Sequence, residues 1–151
     1  MQIPYHFGSD PNEAGRRRTT PSSERESSTV LRRVLIVEDE IFIQLDLERE
    51  LIAAGFTVVG ITDTADDAVR LASIESPDVV LMDVRLRGTR DGVDAALEIW
   101  ERFGIRCLII SGNIDQVLMA RAAAAEPLGF VHKPFAGNHV VALLKAPDGQ
   151  G

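Results

Sequence analysis

Short apolar runs alternate with segments of helical periodicity from Arg32 to the C-terminus. The runs are rich in Val, Ile and Leu and are bounded by polar residues or turn signals, which is typical of strands. We predict strands over Arg33–Val37, Thr57–Ile61, Val79–Met82, Arg106–Ile110 and Leu128–His132. Between them the apolar spacing predicts helices near Ile41–Ala54, Ala65–Ser76, Gly92–Phe103 and Asp115–Ala125, and a last helix from about Ala136 to before Pro147.

Strands that alternate with helices predict an α/β domain whose strands pair in parallel through right-handed crossovers. Five such strands favour a flavodoxin-like doubly wound (βα)5 fold with the strand order 2-1-3-4-5. The composition, 45% hydrophobic and 5% aromatic, suits an aliphatic parallel sheet that helices cover on both faces.

Residues 1–30 differ from the rest of the chain because they are rich in Ser, Thr, Pro, Gly and Arg and have no periodicity. We predict a disordered N-terminal tail over residues 1–30, a folded domain over residues 31–146 and a flexible C-terminus over residues 147–151. The last predicted helix is short and the chain ends soon after it. We therefore expect no output domain.

The net charge of −7 belongs to residues 31–151, because the four acidic and four basic side chains of residues 1–30 cancel. An acidic domain is a poor non-specific partner for nucleic acid or an anionic membrane, so we expect neither as a partner. No apolar run approaches the roughly 18 residues of a membrane span. The lone Cys107 excludes a disulfide within the chain, which fits a reducing compartment, and we expect a cytoplasmic protein.

Polar side chains with complementary chemistry stand at the ends of four predicted strands. They are Glu38 and Asp39 after the first strand, Asp83 after the third, Ser111 after the fourth and Lys133 after the fifth. In an open α/β sheet the ligand site lies outside the carboxyl ends of the strands. We therefore expect these side chains to converge in one cleft, where acids able to hold a metal, an attacking carboxylate, a hydroxyl and an ammonium make a phosphoryl-transfer site.

This set of strand-end residues resembles the receiver domain of two-component response regulators, and the resemblance covers residues 32–145. It implies that Asp83 accepts a phosphoryl group from the phosphohistidine of a sensor histidine kinase. It also implies a Mg²⁺ cofactor, which Asp39, Asp83 and the backbone carbonyl of Arg85 ligate directly and Glu38 binds through water. We expect the side chain of Glu40 to turn toward the first helix.

The resemblance assigns further roles near the same strand ends. Ser111 stands at the position of the switch hydroxyl, and Phe130 stands where receivers have a rotating aromatic side chain. Lys133 pairs first with Asp83 and then with the phosphoryl oxygens, and the bond before Pro134 is expected to be cis. The fourth helix, fifth strand and fifth helix would form the surface that changes shape, and a homodimer could use the same surface.

The third strand is followed by the loop VRLRGTRDG, which departs from the family by its length and lacks the usual Met-Pro. Arg85 in this loop and Asn113 after the fourth strand match positions that line the route of attacking water. Their identities leave the lifetime of the phosphoryl group open.

These residues are compatible with more than one function. The first is a regulatory switch, not an enzyme, that binds a target protein when phosphorylated. A phosphate sink or shuttle to a His phosphotransfer protein would use the same residues. An Asp-nucleophile phosphohydrolase usually has a second Asp two residues after the first, but Val84 and Arg85 follow Asp83. A dinucleotide-binding domain needs a glycine-rich turn after the first strand, where this chain has acids.

Overall fold

The computed structural model describes residues 30–146, so the predicted tail, except Val30, and the predicted C-terminal segment lie outside the described residues. The strands are β1 Arg33–Val37, β2 Thr57–Thr62, β3 Val79–Asp83, β4 Cys107–Ser111 and β5 Gly129–His132. The helices are α1 Ile41–Ala53, α2 Ala65–Glu75, α3 Gly92–Phe103, α4 Gln116–Ala122 and α5 Gly137–Lys145, with a 3₁₀ turn over Ala123–Ala125.

The five strands form one parallel sheet in the order β2-β1-β3-β4-β5. This confirms the predicted fold class, including the strand order. Every predicted strand and helix is present, with bounds that differ by one or two residues except at the end of α4.

Side chains of the central strands alternate between two apolar layers, because successive residues of a strand point to opposite faces. Leu35, Val37, Val80 and Met82 pack with buried residues of α2 and α3. Val34, Ile36 and Leu81 pack with Leu47 and Leu51 of α1 and with Val140 and Leu144 of α5. Helices therefore cover both faces of the sheet, and solvent reaches its strands mainly at the ends.

The fourth helix is shorter than the prediction of one helix over Asp115–Ala125. Asp115 is its N-cap and accepts a hydrogen bond from the Leu118 N–H at 2.9 Å, so the helix begins one residue later. After Ala122 the chain tightens into the 3₁₀ turn and leaves it at Glu126, whose φ is 51°. The ring of Pro127 disfavours a helical conformation at Glu126, which explains why the 3₁₀ turn ends there.

Candidate functional site

The register of the sheet brings the polar strand ends to one edge. Val37 of β1 pairs with Met82 of β3, so the residues that follow them, Glu38 and Asp83, lie at the same level. Asp83 pairs with Ile110 of β4, and Ser111 pairs with His132 of β5. Lys133 follows directly, and its N–H donates to the Ser111 carbonyl at 2.8 Å.

Two of the acids are buried. Glu38 is 1% exposed and Asp83 is 3% exposed, whereas Asp39 is half-buried. Carboxylate oxygens of these three residues lie within 4.8 Å of one another. Within residues 30–146, Glu38 Oε1 and Asp83 Oδ2 are buried and accept no hydrogen bond of good geometry, although the Lys133 ammonium lies close to both. Buried carboxylate oxygens with spare acceptor capacity and a hard-oxygen donor set fit a divalent cation such as Mg²⁺.

Lys133 is the cation that the described structure places among these acids. Its Nζ lies 3.1 Å from Glu38 Oε1, 3.3 Å from Asp83 Oδ2 and 3.3 Å from Glu40 Oε1. The peptide bond between Lys133 and Pro134 is cis. One ammonium therefore faces three carboxylates, which leaves the cluster with an excess of negative charge.

The position of Glu40 differs from our expectation that its side chain turns toward the first helix. Glu40 occupies the N-cap position of α1 but makes no side-chain capping hydrogen bond. Its N–H instead donates to Glu38 Oε2 at 3.0 Å, and its carboxylate turns to Lys133. The Lys133 ammonium attracts the Glu40 carboxylate, which explains why the side chain turns to the cluster and not toward α1. Three consecutive acids in the sequence were the signal that could have indicated it.

Burial and mutual repulsion change the pKa values of this cluster. Burial, with a smaller contribution from the charge of Asp83, raises the pKa of Glu38 to about 7. Burial likewise raises the pKa of Asp83, although the neighbouring ammonium of Lys133 opposes that shift. Burial alone would lower the pKa of Lys133, but its hydrogen bond to Glu38 and the charge of Asp83 raise it on balance. A further positive charge nearby would therefore stabilise the ionised forms of Glu38 and Asp83.

Ser111 is buried at the end of β4, and its hydroxyl is engaged with its own loop. It accepts a hydrogen bond from the Asn113 N–H at 3.1 Å and contacts the Asn113 carbonyl at 3.2 Å. Phe130 is half-buried and packs against a small cluster formed by Val93, Leu118 and Ala122. The predicted switch pair therefore lies between the acid cluster and helices α3 and α4.

Gly92, the first residue of α3, was not predicted to affect the site. Its N–H donates to the Val84 carbonyl at 2.8 Å. A Cβ on this residue would clash with the carbonyl oxygen of Asp83 and lie 2.8 Å from its carbonyl carbon and 3.0 Å from Met82 Cγ. Only glycine allows α3 to begin directly against the backbone of Asp83. Periodicity does not report such an approach, because it arises from tertiary packing.

Among residues 30–146 no helix has both the length and the apolar character needed to cross a membrane. The charged strand ends thus belong to a domain in which no described helix is a candidate membrane span.

Comparison with known proteins gives consistent relatives. Residues 34–145 match the family model of the response regulator receiver domain. The transcriptional regulatory protein PdtaR of Mycobacterium tuberculosis is 34% identical over 127 residues, which is 84% of this chain and 61% of PdtaR. The phyllosphere-induced regulator PhyR of Methylorubrum extorquens is 30% identical over 112 residues, 74% of this chain and 41% of PhyR. The chain thus spans less than two thirds of either relative.

Solved structures agree in fold. The signal receiver domain of a modulated diguanylate cyclase from Desulfovibrio desulfuricans G20 is 31% identical, with a TM-score of 0.71 over 78% of this chain and 93% of that domain. The anti-anti-sigma factor PhyR of Bartonella quintana is 28% identical, with a TM-score of 0.62 over 86% of this chain and 53% of that protein. The family match spans nearly all of the described residues and includes every strand-end residue of the acid cluster, so the chain belongs to the response regulator receiver domain family.

Proposed function

We propose that this domain accepts a phosphoryl group on Asp83 from the phosphohistidine of a sensor histidine kinase, with Mg²⁺ as cofactor, and thereby switches a protein-binding surface. The observation that carries the proposal is the buried Asp83 carboxylate, whose Oδ2 lies 3.3 Å from the Lys133 ammonium and within metal-ligand range of Glu38 and Asp39. The domain would act as a regulatory switch, as its family suggests, and in the cytoplasm, because its single cysteine fits a reducing compartment.

The transfer is a substitution at phosphorus. An oxygen of the Asp83 carboxylate forms the new O–P bond while the P–N bond of the phosphohistidine breaks, and the imidazole leaves with the electron pair. The ammonium of Lys133 lies at Asp83 and can offset the negative charge of the transferred oxygens. When bound by Glu38, Asp39, Asp83 and the Arg85 carbonyl, Mg²⁺ would supply the additional positive charge that two anionic reactants require.

The switch would follow from the charge of about −1.5 to −2 that a phosphoryl group brings at neutral pH. Ser111 would exchange its contacts with Asn113 for a hydrogen bond to a phosphoryl oxygen. Phe130, which packs between the core and α4, can then reorient, and the surface of α4, β5 and α5 changes shape. One relative is named an anti-anti-sigma factor, so we propose a protein as the target.

The proposed function is tested by incubating the chain with acetyl phosphate and Mg²⁺ and measuring intact mass and released phosphate. We expect one phosphoryl group per chain, with no turnover of a generic phosphomonoester. Repeated turnover of that ester without a stable phosphoprotein would instead identify a phosphohydrolase. Transfer from the labelled chain to a His phosphotransfer protein, in preference to target binding, would identify a sink or shuttle.

Mg²⁺ is predicted to stabilise the folded domain. Binding to the native state alone raises the free energy of unfolding, and here it also relieves repulsion among the buried acids. Millimolar Mg²⁺ should therefore raise the melting temperature, and Asp39→Asn should abolish the rise. Differential scanning fluorimetry measures both, with Asp46→Asn on the α1 surface as a matched control that keeps the response. An unchanged Mg²⁺ response in Asp39→Asn would refute the assignment.

The exposed apolar side of α1 is the proposed docking surface for the kinase. Phe42 is 83% exposed, and Ile41, Leu45 and Ile52 are each more than half exposed. A phosphohistidine can reach Asp83 only if the donor's surface covers this edge of the sheet, and α1 begins directly after Glu40, whose carboxylate contacts Lys133. We propose that an apolar helical face of the kinase occupies the surface formed by these four residues of α1.

Phe42→Ser is predicted to slow phosphotransfer from the cognate kinase by roughly tenfold. The loss of an aromatic side chain that becomes buried in an interface typically costs more than about 1 kcal/mol of binding free energy. The rate with acetyl phosphate should not change, because that donor needs no docking surface. Ile74→Ser is the matched control, since Ile74 is 61% exposed and lies near the far end of α2. Equal loss with both donors would show a damaged site instead of a docking surface.

A further inference from the structure

The loop between β3 and α3, residues 84–91, is tied to the segment that connects β2 and α2. Arg87 forms an isolated parallel bridge with Thr64, and its N–H donates to the Asp63 carbonyl at 3.2 Å. The guanidinium of Arg87 also lies 3.2 Å from Asp63 Oδ2. Both main chain and side chain thus hold the loop at this point.

The strand order gives this tie a consequence for the site. Strand β1 lies between β2 and β3. A loop that leaves β3 and pairs with the end of β2 must therefore pass the carboxyl end of β1, where Glu38 and Asp39 lie. Arg85, whose carbonyl the proposed function counts among the metal ligands, is between Asp83 and this tie.

A second tie holds the end of the loop. Arg90 donates to Asp66 Oδ1 at 3.0 Å on α2 and to Glu98 Oε1 at 2.7 Å on α3, and its guanidinium is 3.4 Å from the Asp94 carbonyl. The loop is thus fixed at three points: at Asp83, where β3 ends, at Arg87 and at Arg90. Gly88 lies between the two ties, is exposed and has a φ of 95°. No atom lies within 4 Å of a Cβ added there, so nothing packs against this part of the loop on that side.

We propose that Arg87 and Arg90 are positioning residues for the metal site. They hold the loop in one conformation before Mg²⁺ binds. The binding of Mg²⁺ then does not have to order the backbone that carries the Arg85 carbonyl. Ordering backbone costs conformational entropy, and side chains that hold metal ligands in place strengthen metal binding. This inference rests on the proposed function, because it needs the Mg²⁺ site.

The positive charges of Arg87 and Arg90 should affect the affinity for Mg²⁺ in the opposite direction to their positioning of the loop. Removing a positive charge from an acidic domain would by itself favour the binding of Mg²⁺. If the arginines position the loop, their removal should weaken Mg²⁺ binding instead. The direction of the change therefore separates positioning from simple charge.

The test measures the Mg²⁺ dissociation constant by titration calorimetry on the full chain. We expect Arg90→Ala to weaken binding on the order of tenfold and Arg87→Ala to weaken it by less, because the Arg87 side chain is 70% exposed. Arg49→Ala is the matched control, since Arg49 forms an exposed ion pair with Asp46 at 2.9 Å on α1. It should bind Mg²⁺ like the wild type. The charge exchange Asp63→Arg with Arg87→Asp should restore most of the loss.

Each outcome has one meaning. If the wild type binds no Mg²⁺, the proposed function fails and this inference fails with it. If the wild type binds and both arginine variants bind equally well or more tightly, the inference alone is overturned. Failure of the charge exchange to restore binding would also overturn it for Arg87. If Arg90→Ala does not fold, Asp66→Ala removes the α2 contact of Arg90 and leaves its contact with Glu98, so it should weaken Mg²⁺ binding in the same direction by a smaller factor, and unchanged binding would overturn the inference for Arg90.

Discussion

Asp83→Asn is expected to abolish phosphoryl labelling by both acetyl phosphate and a histidine kinase. A neutral amide is a far weaker nucleophile than a carboxylate. Glu38 is as buried as Asp83 and lies as close to Lys133, but it follows β1 and is proposed to hold the metal, so we do not expect it to replace Asp83 as the acceptor. The substitution nearly preserves the shape of the side chain. Intact-mass measurement after incubation with either donor checks the loss, and a phosphoryl group retained on the variant would show that the proposed acceptor is wrong.

The same variant contains a control for folding. Asp83 and Glu38 repel each other in a buried site, and burial raises the pKa of both. Asp83→Asn removes one of these charges, so the metal-free variant should melt no lower than the wild type. Loss of labelling with an unchanged or higher melting temperature then reports chemistry. Ser111→Ala should still be labelled, but the accompanying change of the α4, β5 and α5 surface, followed by amide hydrogen exchange, should be smaller.

Gly92→Ala is expected to lower the free energy of unfolding by about 3 kcal/mol, the upper end of the usual cost of overpacking a close contact. The added Cβ would meet the Asp83 carbonyl and approach Met82 Cγ. Neither backbone nor a buried side chain can give way cheaply, so α3 or the end of β3 must shift. Because Asp83 is the proposed phosphoryl acceptor, labelling should also slow in the protein that remains folded.

Chemical denaturation measures the stability change. Gly112→Ala is the matched control, because an added Cβ there has no atom within 4 Å and Gly112 has no left-handed backbone conformation. Its unfolding free energy should stay within about 0.5 kcal/mol of the wild type, as for most exposed substitutions. A cost for Gly92→Ala as small as that would show that α3 can move away from β3 freely.

The order of apolar runs and helical segments in the sequence determined the fold class, because alternating strands and helices pair in parallel through right-handed crossovers. It also predicted which edge of the sheet carries the candidate site. Parallel strands present their carboxyl ends at one edge, so Glu38, Asp39, Asp83, Ser111 and Lys133 could be placed together from their positions at strand ends alone. The roles of these residues in phosphoryl transfer stay predictions.

Only the tertiary structure decided how that edge is held. Three features belong here: Glu40 turns toward Lys133, Gly92 approaches the Asp83 carbonyl, and Arg87 and Arg90 pair with acids at the N-terminal end of α2. Each of them joins residues that are far apart in the sequence or that no local pattern distinguishes. The change from α-helix to a 3₁₀ turn after Ala122 was likewise not visible in the periodicity, which favoured one longer helix. Periodicity reports which face a residue occupies. It does not report the distance between side chains on different elements, and charge pairing and close backbone contact depend on that distance.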